Sequence, residues 1–179
     1  SLSAPVLGAS GSFTLTGSGT VEVGTATAGT GLEVTSRSLT FTRMSSGGAL
    51  DVFTDGNVAG GDLVATGQIR IATGTGSFTY GSIEGGGIAI GGQTVSGGAL
   101  TARTQDLAIA VSGDASLGTI DAAGDVDIEA RNLGFSTIKA GGAFRSANTA
   151  MMGTSIAAGG DIELSTEGDL ALSGLSGAS

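Results

Sequence analysis

The chain has 179 residues, a net charge of −9, a pI near 4.1, 35 Gly, one Pro and no Cys, His or Trp. Its seven basic residues are dispersed, which argues against nucleic acid or an anionic membrane surface as a partner, and the absence of cysteine removes any disulfide or thiolate-metal framework. No apolar run reaches the eighteen residues a spanning helix needs, and no basic start leads into an apolar signal region, so membrane insertion is not expected.

Along the chain one apolar wave recurs every eighteen or nineteen positions, through Phe13, Leu32, Leu50, Ile69, Ile88, Leu107, Val126, Phe144 and Ile162. A period this short marks each unit as one turn of a solenoid, which must stack on its neighbours to bury its apolar face. A second phase follows Val21, Leu39, Val58, Phe78, Val95, Ala115, Leu133, Met151 and Leu170, with its weak point at Val95. A third follows Met44, Leu63, Ile83, Leu100, Ile120, Ile138, Ile156 and Leu175.

Within these segments apolar and polar residues alternate, as in Leu32-Glu33-Val34, Ile69-Arg70-Ile71, Val126-Asp127-Ile128 and Ile162-Glu163-Leu164. That alternation predicts strands with one face inward. Glycine clusters near the corners, at Gly47-Gly48, Gly60-Gly61, Gly85 to Gly87, Gly97-Gly98, Gly141-Gly142 and Gly159-Gly160, predict sharp turns, often with positive φ. The expected fold is all-β: a right-handed parallel β-helix of about nine coils of 18–19 residues, with three short strands per coil. At a strand spacing of about 4.8 Å, nine coils make a rod roughly 43 Å long.

Charges support the coil length, because residues one coil apart lie above one another. Arg37 has Asp55, Arg43 has Asp62, Arg70 has Asp51, Arg103 has Glu84 and Lys139 has Asp121 at offsets of 18 or 19, while Arg145 has Asp127 below and Glu163 above. Six of the seven basic residues therefore have a carboxylate one rung away, where random placement gives roughly two. Asp127, Arg145 and Glu163 form the expected inter-coil charge ladder. Such exposed pairs stabilise little individually, about 0 to 1 kcal/mol, but they oppose a one-residue slip that would turn core residues outward.

The segments Ala123-Gly124-Asp125-Val126-Asp127-Ile128-Glu129-Ala130, Ala158-Gly159-Gly160-Asp161-Ile162-Glu163-Leu164-Ser165 and Gly168-Asp169-Leu170-Ala171-Leu172-Ser173 carry a family likeness. With the 19-residue period, they resemble the repeats of filamentous haemagglutinin and related large exoproteins of two-partner secretion, over essentially the whole chain and most clearly from about Gly113. The resemblance implies a secreted or cell-surface protein of a Gram-negative bacterium whose shaft serves adhesion, biofilm formation or presentation of a distal toxin. Neither end supplies a helix or polar loop to cover the terminal rung, so residues 1–179 are expected to be one solenoid segment of a longer rod, or a unit whose ends are covered by other copies. Against the full family pattern, the amino-terminal secretion domain and any terminal toxin or receptor-binding module are missing. Partners would be neighbouring coils of a longer chain or other copies, and a host-surface receptor or glycan.

Parallel β-helices also carry polysaccharide-degrading enzymes, whose chemistry needs paired carboxylates or calcium-binding acids beside a base. The densest acidic group is Asp121, Asp125, Asp127 and Glu129, with Asp161 and Glu163 two coils up. It reads as a solvated face partly neutralised by Arg145. With no histidine and no long loop to wall a cleft, no catalysis, cofactor or metal is expected. The glycine strings lead into no helix that could hold a phosphate, and the calcium-binding nonapeptide pattern is absent. A threonine array fails because Thr40, Thr42 and Thr79 are not continued at Ser116, Gly134 and Ala171. Met151-Met152 and Phe78/Tyr80 are expected to fill the core, with the Tyr80 hydroxyl at a corner. The end-to-end stacking filament subunit is the alternative function.

Overall fold

In the computed structural model, which describes residues 1–177, short alternating segments become strands that pair one coil away in the same direction. In chain order they are β1 (Leu2–Ala9), β2 (Ser12–Thr16), β3 (Thr20–Ala28), β4 (Gly31–Ser36), β5 (Ser38–Ser46) and β6 (Ala49–Thr54). Next come β7 (Val58–Ala65), β8 (Ile69–Ala72), β9 (Ser77–Gly85), β10 (Ile88–Gly92), β11 (Thr94–Ala102) and β12 (Leu107–Val111). The last are β13 (Ala115–Ala122), β14 (Val126–Ala140), β15 (Phe144–Ala158), β16 (Ile162–Thr166) and β17 (Leu170–Ser176). All pairings are parallel and join each strand to its counterpart in the next coil, so the protein is a β-solenoid of about nine coils.

The registers coincide with the three apolar phases. Phe13 pairs with Leu32, Leu32 with Leu50, Leu50 with Ile69, and so on through Ile88, Leu107, Val126 and Phe144 to Ile162. The second and third phases align likewise, from Val21 to Leu170 and from Met44 to Leu175. These two phases lie on one long element that bends between them. Pairing skips a position at the bend, as at Gly24 and Thr42 or Gly118 and Ser136. In β14 and β15 all three segments run together, with a further skip at Arg131 and Thr149.

Interior side chains close the core along the whole rod. Leu32, Leu50, Ile69, Ile88, Leu107, Val126 and Phe144 are almost inaccessible, whereas Phe13 and Ile162, near the first and last rungs, are partly covered. One corner is lined by buried hydroxyls that satisfy turn carbonyls: Ser36 Oγ donates to Ser38 O (3.1 Å), Thr54 Oγ1 to Gly56 O (2.8 Å) and Thr73 Oγ1 to Gly76 O (2.9 Å). Farther along the same face the chain uses a polar pair inside the core. Asn148, buried beside Ser146, accepts from Ser146 Oγ and donates to Ala130 O (3.2 Å) and Ala147 O (3.0 Å). Pairing these groups avoids the desolvation cost of an orphaned amide.

The expected positive φ at the corner glycines is not what these residues provide. Among the described residues only Gly74 has positive φ, at 49°. It lies in the tight Thr73–Gly76 turn, closed by Gly76 N donating to Thr73 O at 2.6 Å. This turn takes up the extra residue of a locally longer coil, in which Val58 pairs with Phe78 twenty positions on; the next coil is shorter, pairing Phe78 with Val95. Elsewhere glycine serves close stacking. A Cβ at Gly47, Gly48, Gly141 or Gly159 would strike a carbonyl of the coil beneath, which is why the corner ladder carries no side chain there.

Candidate functional site

The acidic region picked out by the sequence is resolved into two kinds of interaction. At the corner before the short strands, Asp106 Oδ1 accepts from Asp125 N (2.9 Å) and Asp125 Oδ1 accepts from Ala143 N (2.7 Å), so each carboxylate caps the amide of the next coil. Asn57 does the same for Ser77 N at 2.9 Å before a long strand. The Ala143 amide, then the Arg145 guanidinium, hold the Asp125 carboxyl below the usual carboxylate range. Hydrogen bonding to Asp125 and the charge of Asp127 correspondingly raise the pKa of Arg145.

Arg145 Nη1 lies 3.3 Å from Asp125 Oδ2 and 3.5 Å from Asp127 Oδ1. Strand register sets Asp127 beside Arg145 and Arg145 beside Glu163. Among the described residues, Glu163 makes no ion pair with Arg145, so the ladder closes on its lower side only. The reason is geometric: Asp125 and Asp127 flank the coil below, and one guanidinium turned to both cannot also reach upward.

Of the other expected pairs, Arg103–Glu84 and Lys139–Asp121 (3.6 Å) close. Arg43 and Asp62, and Asp51 and Arg70, are register neighbours without reaching ion-pair distance among the described residues. Asp62 instead accepts from Ser82 Oγ at 2.7 Å. Arg37 and Asp55 likewise form no ion pair among the described residues and share the wall of an open groove of about 620 Å³ with Thr54 and Gly74. Arg131, the one basic residue without an expected partner, meets Asp114 at 3.4 Å across an offset of 17. It reaches diagonally from beside Asn132, which lies one coil of 18 above Asp114 and donates to the same carboxylate oxygen at 2.8 Å.

Two core expectations need correction. Met151 is buried but Met152 is 69 % exposed, because strand alternation sends adjacent residues to opposite faces. Tyr80 stacks on Phe78 with ring centroids 5.1 Å apart, yet its hydroxyl is buried without a hydrogen-bond partner instead of reaching a polar corner. Burial pushes the phenol well above its ordinary value of 10.0.

A groove of about 250 Å³ runs over Asp127, Glu129, Arg145, Ser146 and Glu163. Among the described residues, no three His, Cys, Asp or Glu side chains cluster so as to hold a metal ion, and no helix is long and apolar enough to cross a membrane. The outward face of the short strands carries a feature that the sequence reading missed: Phe53, Ala72, Ala89, Gly91, Ala108 and Ala110 form a flat apolar zone, with Phe53 39 % exposed. Its signal was present as alanine at alternate positions of Leu107–Val111 and once in Ile88–Gly92, on the side opposite the core. No family model, curated protein or solved structure matches the chain.

Proposed function

We propose that this protein is a structural shaft segment of a secreted or surface-exposed bacterial exoprotein, a rigid spacer that mediates adhesion or presents a distal module. The observation that carries this reading is the unbroken register of three apolar columns from the first coil to the last. A rod whose every rung makes the same backbone ladder and shares one core resists bending, because flexing it separates pairs on one side and crowds packed side chains on the other. Its chemistry is spread along the length, with exposed carboxylates used as corner caps and ion-pair partners. The Gly-Asp segments at Gly124-Asp125, Gly160-Asp161 and Gly168-Asp169, with the 19-residue period, resemble filamentous haemagglutinin repeats and supply the cell-surface context.

The test removes the two coils 88–125 in frame from the encoding gene. Val126 then takes the place of Ile88 in the inner column. Cells are expected to keep the shortened protein accessible to added protease and to keep adhering with a shorter reach. Lost adhesion at unchanged surface display would remove the spacer role, and a protein found only inside the cell would remove the location. A second reading, a subunit that stacks end to end, draws on the exposure of Leu2 on the first rung and Leu170 and Leu175 on the last, which continue the buried columns of Val21, Met151 and Ile156. Concentration-dependent fibres of single-rod width in electron micrographs would select it.

A further inference from the structure

The outer face of the short-strand sheet presents two columns of side chains. Over six successive rungs the first reads Asp51, Arg70, Ala89, Ala108, Asp127 and Arg145, and the second Phe53, Ala72, Gly91, Ala110, Glu129 and Ala147. A patch of small residues thus lies between two opposite-charge couples, with the exposed Phe53 on the Asp51 rung and Glu129 on the Asp127 rung.

We propose that this face binds a second copy of the chain, antiparallel, about a two-fold axis in the plane of the face between Ala89 and Ala108. Such an axis, perpendicular to the rod, sets each column against itself and reverses the order of rungs. Ala89 then meets the partner's Ala108, Arg70 the partner's Asp127, Asp51 the partner's Arg145 and Phe53 the partner's Ala147. Every basic residue of the six rungs faces an acid, twice over by symmetry, and the bulky ring faces a methyl group.

Other registers lose this match. Centring the axis on Ala89 opposes Asp51 to Asp127, and centring it between Arg70 and Ala89 opposes Glu33 to Asp127. Parallel rods related by an axis along their length oppose the first column to the second on the same rung, where Arg70 meets only Ala72. In the favoured register Glu33 and Glu163 oppose one another just beyond the six rungs, which limits the contact to them. Six rungs at about 4.8 Å and a strand width of about 17 Å give roughly 500 Å² per copy. A standard interface has about 800 Å² per partner, so the pair is weak and forms at high protein concentration.

Sedimentation of the full chain over a concentration series tests the proposal. The expected species are monomer and dimer, with association falling as salt rises. Arg70→Asp should weaken association by at least about tenfold, and adding Asp127→Arg should restore it, since the two charges have exchanged sides. Because the chain has no cysteine, Ala89→Cys and Ala108→Cys copies can be mixed under mild oxidation, and the mixed disulfide should exceed both homodimers. If the charge variants fail to fold, the cysteine pairing decides. A monomer up to millimolar concentration, larger assemblies indifferent to Arg70→Asp, a folded double variant no better than the single one, or cysteine pairing without preference for the mixed product would each overturn it.

Discussion

Phe41, Tyr80 and Phe135 each have a glycine directly above them in the following coil, at Gly60, Gly97 and Gly153, and a Cβ at any of the three would enter the ring below. Gly153→Ala is therefore expected to cost about 1–3 kcal/mol in urea unfolding, the usual range for overpacking. Phe135→Leu should relieve most of that cost in the double variant, a non-additivity that contact demands. Tyr80→Phe should raise stability by about 1 kcal/mol, because it deletes a buried hydroxyl that has no partner. The raised Tyr80 pKa gives a sign to alkaline behaviour: its contribution is complete below the unfolded value of 10.0 and is lost as the pH climbs above it, since only the unfolded chain ionises readily. Tyr80 is the single tyrosine, so phenolate absorbance should appear together with loss of circular dichroism, and absorbance rising in a folded chain would contradict its burial. None of this was legible beforehand. The aromatic and glycine positions differ by 19, 17 and 18, and a fixed period cannot align them until local coil lengths are known.

The short strands obey alternation along nearly the whole rod, and their inward and outward positions differ sharply in cost. Ile128→Asp places an unpaired charge in the core and should cost more than about 4 kcal/mol, enough to prevent folding, whereas Glu163→Ala should stay within about 0.5 kcal/mol. Thermal melts of the two variants would check the contrast, and a destabilised Glu163→Ala would mean that the upper half of the charge ladder matters after all. At the corner, Asp125 contributes stability above its unfolded pKa and loses it as the pH falls through its lowered folded value. Asp125→Asn should accordingly flatten the acid limb of the stability curve, because the neutral amide can still accept from Ala143 N but no longer attracts Arg145. The strands were readable from apolar alternation alone. Their fusion into bent elements was not, since Gly24, Thr42, Gly118 and Ser136 share no residue type that marks a bend; what they share is position on a corner, where the stacked backbones turn together.

At the scale of the molecule, stability accumulates rung by rung, as in other solenoids where each repeat contacts its neighbours. Removing the two coils 88–125 from the purified chain should leave a cooperative β-rich rod shorter by about 10 Å in small-angle scattering, since each rung adds about 4.8 Å. A deletion of only nine residues in the same region should unfold it, because it moves the apolar columns onto outward positions. By itself the sequence determined the number of coils and the pairing of the three apolar columns, because burial imposes one requirement that recurs along the chain. That Met152 points outward and that Ser36, Thr54, Thr73, Ser146 and Asn148 line the interior it did not. Only the tertiary structure decided that Arg145 turns to Asp125 and Asp127 rather than Glu163, that Arg131 finds Asp114, and that three aromatics share space with three glycines. Those choices depend on coil lengths that vary between 17 and 20 residues and on how far each side chain reaches across one rung, distances that exist only after the coils have stacked.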